Sequence, residues 1–159
     1  FKMSLPDIRR GLKKTIWRGR FEIIRGKPLI ILDGAHNPAS AKVLAESLNS
    51  FPIIRPLTFI LGILEYKEIK KIIENLAPCA DLIIATKSKH KKAADPKLLA
   101  QEIQKHNIPT VMIDDIEGAL DLAIAQGFGE TICVTGSLYT VAEAILYLEK
   151  HLTEGRSLV

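Results

Sequence analysis

Residues 33–37, Asp-Gly-Ala-His-Asn, place a carboxylate, an imidazole and a side-chain amide directly after the apolar run 29–32. In open parallel sheets, ligands bind beyond the carboxyl ends of the strands, where helix N-termini present backbone amides. The carboxylate of Asp33 could accept two hydroxyl hydrogen bonds, as a ribose requires, and the imidazole of His36 could donate to a carboxylate or a phosphate. A plainer interpretation stays open, in which Asp33 and Asn37 cap the next helix and His36 is an exposed loop residue.

A second polar segment follows the last apolar run of the chain. Thr135, Gly136, Ser137 and Tyr139 stand where this run meets the final helical segment. Backbone amides and a hydroxyl at such a helix start suit an anion, but Ser137 could equally be an ordinary N-cap. The nearby GFG of residues 127–129 precedes a strand, so it is not a dinucleotide-binding fingerprint, which needs its glycines after one.

The densest basic segment, KSKHKK at residues 87–92, follows another apolar run. A solvated loop is the favoured interpretation, and contact with a polyanionic substrate is the alternative. Nucleic acid is not expected as a partner, because aromatic residues make up only 6% of the chain and are too scattered for a stacking platform.

Other kinds of reactive site are not expected. Cys79 and Cys133 lie far apart without a CxxC partner, and the histidines other than His36 have no second ligand at metal spacing. Cys133 lies in an apolar run and is expected in the core. The chain has no GxxxxGK[ST] phosphate loop and no nucleophile elbow. A complete catalytic apparatus is therefore not visible in this sequence.

The elements that must position these residues follow one pattern, in which apolar runs of strand length alternate with segments of helical spacing. This alternation predicts βαβ units and a parallel sheet, and the nearly continuous Ile, Val and Leu content of the runs predicts that both sheet faces are covered. We expect a Rossmann-like α/β fold with a mostly parallel sheet of about six strands, flanked by helices. The expected strands lie in residues 28–34, 57–63, 81–87, 109–114 and 130–136, with helices in 37–51, 67–77, 95–107, 116–126 and 137–152.

Proline and glycine positions support these boundaries. Asn37-Pro38 and Asp95-Pro96 each resemble an N-cap followed by proline in the first helical turn. Asn107 and Gly127 stand where helices should end. The first 26 residues are less regular, and we expect only a short edge strand and a turn within residues 20–28.

The bulk composition fits one globular domain. The chain has 159 residues, of which 47% are hydrophobic, enough for a real core. Its formal charge of +4 is compatible with acidic ligands but does not require them. No apolar run approaches the roughly 18 residues of a membrane span, and the first residues have no apolar signal core. We therefore expect a cytoplasmic protein without a membrane partner.

Four segments together identify a family resemblance. DGAHNP at residues 33–38, RGLKKTIWRGRFE at 10–22, LGILEYKEI at 61–69 and VTGSLY at 134–139 stand in the same order as in folylpolyglutamate synthase/dihydrofolate synthase. The chain resembles the carboxy-terminal domain of that enzyme, a member of the Mur ligase family, over residues 1–159. The family commonly has proline where Arg18 stands and an acid where Tyr66 stands.

This resemblance implies half of an active site. A central ATPase domain, absent from this chain, carries the phosphate loop and the magnesium ligands, while the carboxy-terminal domain brings the amino acid. ATP phosphorylates the carboxylate of dihydropteroate or a folate, and the amine of L-glutamate attacks the acyl phosphate. Closure of the domains orients the reactants and excludes water from the intermediate. By this resemblance the isolated domain is inactive.

The resemblance also implies roles for individual residues. Arg20 matches an arginine that reaches the ATP phosphates, and Asp33 matches an aspartate near the nucleotide ribose. His36 matches a catalytic histidine near the incoming glutamate and the reacting phosphate, and Ser137 matches a serine that helps to hold glutamate. Asn37 is expected to support the loop. Two alternatives to this function are a stand-alone nucleotide-binding or regulatory module and a domain of another Mur-family amino-acid ligase.

Overall fold

The computed structural model describes residues 3–15 and 17–153, and its centre is one six-stranded sheet. The strand order is β1-β2-β6-β3-β4-β5, in which β1 runs antiparallel to β2 and every other neighbouring pair is parallel. The prediction of a mostly parallel α/β fold with six strands is therefore confirmed. The strands are β1 (Glu22–Ile24), β2 (Leu29–Leu32), β3 (Leu57–Leu61), β4 (Leu82–Ala85), β5 (Thr110–Met112) and β6 (Thr131–Thr135).

Five helices cover the two faces of the sheet. Residues of α2, α3 and α4 form one apolar core with one sheet face, and residues of α5 and α6 form a second core with the other. These helices are α2 (Pro38–Ser50), α3 (Ile69–Leu76), α4 (Pro96–Gln104), α5 (Ile116–Ala125) and α6 (Leu138–Thr153), with a short 3₁₀ helix at Ala77–Cys79. Strands β3 and β6 are buried along their whole length, as the continuous apolar runs predicted.

Alternation along the central strand divides its side chains between the two cores. Ile132 and Val134 pack with α5 and α6, while Cys133 between them packs with α2 and α3. Neighbouring β3 follows the same rule, since Phe59 and Ile60 belong to opposite cores. The sheet is thus the middle of three layers and forms a rigid base for the loops at its carboxyl edge.

The helix boundaries lie where the sequence placed them. The side chains of Asn37 and Asp95 accept hydrogen bonds from the first turns of α2 and α4, and a proline occupies the first turn of both helices. Asn107 and Gly127, beyond the ends of α4 and α5, adopt positive φ angles of 57° and 60°. These residues tolerate the left-handed conformation that turns the chain back toward the sheet.

The N-terminal segment differs from the expectation of irregular structure. Residues Leu5–Lys14 form a helix, α1, which begins after the N-cap Ser4 and has no buried residue. Its apolar residues follow helical spacing, but Pro6 and Gly11 within the segment weaken the sequence signal. Among the described residues, no helix is long and apolar enough to cross a membrane.

Because β6 lies between β2 and β3, the carboxyl ends of these three strands are neighbours at one edge of the sheet. In the parallel register Leu32 lies beside Val134, so the segments that follow β2 and β6 leave the sheet side by side. This is a point where the order of strands reverses, and such points are where open α/β sheets bind ligands.

Candidate functional site

The two polar segments singled out in the sequence meet at the carboxyl edge of the sheet. The amide of Asp33 donates to the carbonyl of Val134 at 3.1 Å, and the amide of Gly136 donates to the carbonyl of Ala35 at 3.1 Å. These bonds extend the β2–β6 ladder beyond the strands and fix the loop after β2 against the loop after β6. Residues about 100 positions apart thus form one continuous surface.

Asp33 holds this surface to the loop that carries Arg20. Its Oδ1 accepts from the amide of Ala35 at 2.9 Å, and its Oδ2 accepts from the amide of Phe21 at 2.8 Å. Each carboxylate oxygen keeps a further lone pair, because an ionised carboxylate has about four acceptor positions. The half-buried side chain therefore has a structural role that sequence reasoning did not identify, and it retains the capacity to accept hydroxyl groups.

The loop with Arg20 is a tight turn held on both sides. Gly19 and Phe21 have positive φ angles of 69° and 43°, and the carbonyl of Gly19 accepts from the amide of Gly34 at 2.8 Å. The amide of Gly19 in turn donates to Oε2 of Glu22 at 2.7 Å. These bonds leave Arg20 projecting from a turn whose backbone is fixed.

Arg18 occupies the position where the family that the sequence resembles commonly has proline. A proline ring would restrict the backbone of this turn, whereas Arg18 holds the turn by ion pairs. Its Nε donates to Glu22 at 2.7 Å, and its Nη1 donates to Glu149 of α6 at 2.9 Å. Hydrogen bonds to Glu149 and Glu22 raise the pKa of the Arg18 guanidinium above its usual value. Both pairs are exposed, so each contributes little stability alone, but together they tie the turn to α6.

Arg20 and Asp33 share one groove. The Arg20 side chain is exposed, and its guanidinium carbon lies 6.0 Å from the ring centre of Trp17. The groove has a volume of about 540 Å³ and runs between this turn and α2, from the N-cap of the helix to Ser47. Its lining combines the two charged side chains with Phe21 of the turn and with residues of α2 and its N-cap, namely Asn37, Ala39, Ser40, Val43, Leu44 and Ser47.

The imidazole of His36 is oriented by the loop that precedes it. Its Nδ1 lies 2.8 Å from the carbonyl oxygen of Gly34. Because a carbonyl oxygen only accepts, Nδ1 carries the proton in this bond, and Nε2 of the neutral ring is an acceptor. His36 can therefore accept a proton or a hydrogen bond through Nε2, and it donates to an anion there only when the ring is doubly protonated.

Asn37 supports α2, as the plainer interpretation held. Its Oδ1 accepts from the amide of Ser40 at 2.8 Å, while the Ser40 hydroxyl oxygen accepts from the amides of His36 and Asn37 at 3.0 and 3.1 Å. This capping box satisfies the amides at the helix start from within the chain. Three amides at the start of α2 therefore already have partners within the chain.

Ser137 is the N-cap of α6 and belongs to a buried hydroxyl chain. Its oxygen accepts from the amide of Thr140 at 3.0 Å and lies 2.8 Å from the Thr140 hydroxyl oxygen. Since the Thr140 hydroxyl donates to the carbonyl of Gly62 at 2.9 Å, the proton between the two hydroxyls comes from Ser137. Ser137 thus has one free lone pair, with which it can accept from a ligand.

His36 and Ser137, predicted to bind the same ligand, line the same pocket. This pocket has a volume of about 150 Å³ and is completed by Leu64, Tyr66, Lys67, Leu138 and Tyr139. Lys67 was not selected as a site residue from the sequence. The available signal was its place after β3, a third strand that ends at this same edge of the sheet.

The basic segment 87–92 divides between two environments. Lys87 and Lys89 form ion pairs with Asp114 and Glu117 at 3.6 and 2.9 Å. The second half of the segment turns toward the pocket.

Two contacts with aromatic rings hold the second half of the segment, residues 90–92, next to the pocket. The His90 ring lies 4.1 Å from the Tyr139 ring, and the Lys92 ammonium lies 5.6 Å from the ring centre of Tyr66. The amide of Glu65 donates to the carbonyl of Lys92 at 2.9 Å, which holds the two loops together. Only part of the basic segment is therefore a solvated loop.

Gly136 permits the close approach of strand ends that the site requires. Its φ angle is 104°, and a Cβ atom at this position would lie 2.6 Å from the carbonyl oxygen of Gly62. No side chain fits between these two backbones. The conformation of VTGSLY therefore depends on this residue.

The other reactive side chains do not add a catalytic centre. Burial raises the pKa of the Cys133 thiol well above its usual value, and the nearby Asp33 carboxylate raises it further. The thiol is therefore neutral and lies in the core, as expected. Among the described residues, no three His, Cys, Asp or Glu side chains are grouped to hold a metal ion.

The family described as Mur ligase, glutamate ligase domain, matches residues 19–138. A probable bifunctional folylpolyglutamate synthase/dihydropteroate synthase of Haloferax volcanii is 33% identical over 139 residues, which are 86% of this chain and 16% of the relative. The chain thus spans only a small part of this relative.

Two solved structures with the same fold are named FolC and folylpolyglutamate synthase/dihydrofolate synthase. Escherichia coli FolC in complex with DHPP and ADP superposes with a TM-score of 0.86 and 26% identity, over 96% of this chain and 36% of that one. A bifunctional folylpolyglutamate synthase/dihydrofolate synthase with Mn, AMPPNP and L-glutamate bound gives a TM-score of 0.81 and 27% identity, over 94% and 36%. The family resemblance predicted from the four motifs is confirmed.

Proposed function

Because this chain belongs to the Mur ligase family, as a glutamate ligase domain, we propose that it forms the carboxy-terminal part of an ATP-dependent ligase that adds L-glutamate to dihydropteroate or a folate. The chain spans about a third of the E. coli structure that it resembles. A central ATPase domain of the same enzyme supplies the remaining half of the site and the magnesium ligands. The nucleotide, Mn and L-glutamate named in one similar structure support these ligands for the complete enzyme.

The main observation behind this proposal is that two cavities, lined by different charged and polar side chains, open at the same edge of the sheet. The groove holds Arg20 and Asp33, which suit a nucleotide, and the pocket holds His36, Ser137 and Lys67, which suit an amino acid with two carboxylates. The segment 33–36 contributes to both cavities. A ligase must bring an activated acid and an amine together, and this arrangement places one group of each cavity, Asp33 and His36, on the same short loop.

On the nucleotide side, we assign Arg20 to the phosphates. Its exposed guanidinium, on a turn with a fixed backbone, offsets the negative charge that develops during phosphoryl transfer. Asp33 accepts the ribose hydroxyls with the lone pairs that its amide bonds leave free. Arg20 and Asp33 therefore move as a unit when this domain closes on the ATPase domain.

On the amino-acid side, we assign the reactive amine to His36 and Ser137. Both offer a lone pair into the pocket, and the amine nitrogen is the donor group of glutamate. The neutral imidazole accepts a proton from the ammonium, which frees the nitrogen lone pair for attack on the acyl phosphate. The amide C–N bond forms, the C–O bond to the phosphate breaks, and inorganic phosphate leaves. Lys67, in the same pocket, is the cation that attracts a carboxylate of glutamate.

The test is the ADP released by the complete enzyme that contains this chain, with ATP, glutamate and either dihydropteroate or a folate. We expect ADP formation that depends on glutamate, and a loss of more than tenfold in kcat/KM in His36→Ala. The matched control is His106→Ala, which removes a half-buried imidazole beyond the end of α4. Absence of glutamate-dependent turnover with both acceptors would overturn the proposal, and turnover with another amino acid would identify a different Mur-family ligase.

A further inference from the structure

Thr140 uses its hydroxyl both as a donor and as an acceptor inside the protein. The residue is fully buried in the first turn of α6, three positions after the N-cap Ser137. Its hydroxyl donates to the carbonyl of Gly62 at 2.9 Å and lies 2.8 Å from the Ser137 hydroxyl oxygen. A carbonyl oxygen has no proton to give, so the bond to Gly62 uses the only proton of the Thr140 hydroxyl. The Ser137 proton therefore points at Thr140.

This arrangement differs from an ordinary helix cap. An N-cap serine needs only its oxygen, which accepts from an amide of the first turn, and its proton is free to turn toward a ligand or water. The Ser137 oxygen accepts in this way from the amide of Thr140 at 3.0 Å, but its proton is held by the Thr140 hydroxyl. Ser137 is 2% exposed, so bulk water does not compete for that proton. Toward the pocket, Ser137 can therefore only accept a hydrogen bond.

The end of β3 fixes the position of Thr140. A Cβ atom on Gly62 would lie 2.5 Å from the Thr140 hydroxyl oxygen, so this hydroxyl occupies the space in which a larger residue would place its side chain. The contact joins the first turn of α6 to the segment that continues from Gly62 to Leu64 and Lys67 of the pocket. Thr140 thus connects two sides of the pocket and holds the Ser137 proton in the same contact.

We propose that Thr140 is a positioning residue that makes this pocket selective for a ligand with a hydrogen-bond donor at Ser137, an inference that rests on the function proposed above. The free lone pair of Ser137 stabilises the nitrogen of an amino acid, because that nitrogen donates. The same lone pair repels a keto or carboxylate oxygen, which only accepts. The pocket therefore rejects the keto acid that has the carbon skeleton of glutamate, and it directs a ligand carboxylate away from Ser137 and toward Lys67.

Binding of two glutamate analogues to the complete enzyme tests this inference without turnover. α-Hydroxyglutarate has a hydroxyl in place of the amine and can donate to Ser137, whereas α-ketoglutarate has a carbonyl there and cannot. By isothermal titration calorimetry, with a non-hydrolysable ATP analogue bound, we expect the wild type to bind the hydroxy acid about tenfold more tightly. In Thr140→Val the Ser137 proton can turn to the carbonyl oxygen of the keto acid, so this ratio of affinities should fall about fivefold. Thr140→Ser, which keeps the hydroxyl, should restore the wild-type ratio.

The matched control is Thr58→Val. Thr58 is also a fully buried threonine whose hydroxyl donates to a backbone carbonyl, that of Phe128 at 2.6 Å, but it lies near the start of β3, at the end of the strand away from the pocket. Urea unfolding should show a loss of stability in both valine variants, because each leaves a carbonyl without its donor. Only Thr140→Val should change the ratio of affinities. In a Ser137→Ala background it should change nothing further, because no hydroxyl remains to be oriented.

Three results would overturn the proposal. Equal affinity of the wild type for the two acids would do so without any variant, and so would an unchanged ratio in a folded Thr140→Val enzyme. An equal change of the ratio in Thr58→Val would mean that Thr140 acts only through stability. ADP formation is measured on the same samples. The expected ratios without glutamate-dependent ADP formation therefore refute the proposed function alone, and ligase activity with unselective binding refutes the role of Thr140 alone.

Discussion

Replacement of Asp33 should destabilise the domain as well as impair nucleotide binding. Its two carboxylate oxygens accept from the amides of Ala35 and Phe21 at 2.9 and 2.8 Å. Ala35 is fully buried, so its amide has no access to water when the carboxylate is removed. The Asp33→Ala variant therefore loses two charge-assisted hydrogen bonds and leaves one buried donor without a partner.

The magnitude follows from these contacts. A hydrogen bond to a charged group contributes about 1.5–3 kcal/mol, and the lower part of that range applies because Asp33 is only partly buried. Two such bonds give a loss of about 3 kcal/mol in the free energy of unfolding for Asp33→Ala. Asp33→Asn keeps one acceptor but turns an NH₂ group toward the other amide, so its loss should be about 2 kcal/mol. Arg20→Ala, at an exposed side chain, should cost less than about 0.5 kcal/mol.

Urea unfolding of the 159-residue chain, followed by far-UV circular dichroism, measures these differences. With a slope of about 2 kcal/mol per molar urea, Asp33→Ala should lower the midpoint by about 1.5 M, and Arg20→Ala should not change it measurably. In the complete enzyme, both variants should lower glutamate-dependent ADP formation more than tenfold. A midpoint for Asp33→Ala within about 0.3 M of the wild type would refute the structural role of the carboxylate.

Three further predictions concern the strand ends, the pocket and the core. Gly136→Ala should lower the free energy of unfolding by about 3 kcal/mol or more, measured by urea unfolding, because the new methyl group would collide with the backbone of Gly62 and its φ angle is strained for alanine. Lys67→Met should raise the KM of the complete enzyme for glutamate about tenfold without changing the KM for ATP, because Lys67 lines the pocket assigned to glutamate. Lys91→Met, the matched control at an exposed lysine, should change neither. Burial raises the pKa of Cys133, so above about pH 9 the unfolded chain releases this proton while the folded chain keeps it. The free energy of unfolding should therefore fall above this pH, by about 1.4 kcal/mol per pH unit from this group. Urea unfolding at pH 8 to 10 should show a smaller slope for Cys133→Ala.

Local signals in the sequence were sufficient for the elements but not for their order. Continuous apolar runs and the caps Asn37 and Asp95 placed strands and helices because each signal depends on neighbouring residues. The insertion of β6 between β2 and β3 depends on packing between distant segments, for which a single sequence offers no spacing rule. Helix α1 was missed because it has few apolar residues and none of them meets the core.

The candidate site, like the fold, was predictable only in part. The polar residues at strand ends lie together at one edge of the sheet, as their positions predicted, and the family resemblance connected His36 with Ser137, which line one pocket. The sequence could not indicate that Asp33 uses both oxygens on backbone amides, or that the Ser137 proton is committed to Thr140. These facts depend on donors from other parts of the chain. Lys67 lies in the motif LGILEYKEI, but its position in the motif did not mark it as a pocket residue.

The order of the strands also determines when the domain can form during synthesis. Strand β6, the last to leave the ribosome, lies between β2 and β3, two strands made much earlier. A nascent chain that ends before residue 131 holds these two strands with no partner between them, and their unpaired backbone edges and apolar side chains stay open to aggregation or to chaperones. The edge with the candidate site, the central sheet and both apolar cores therefore assemble together, only after nearly the whole domain has been translated.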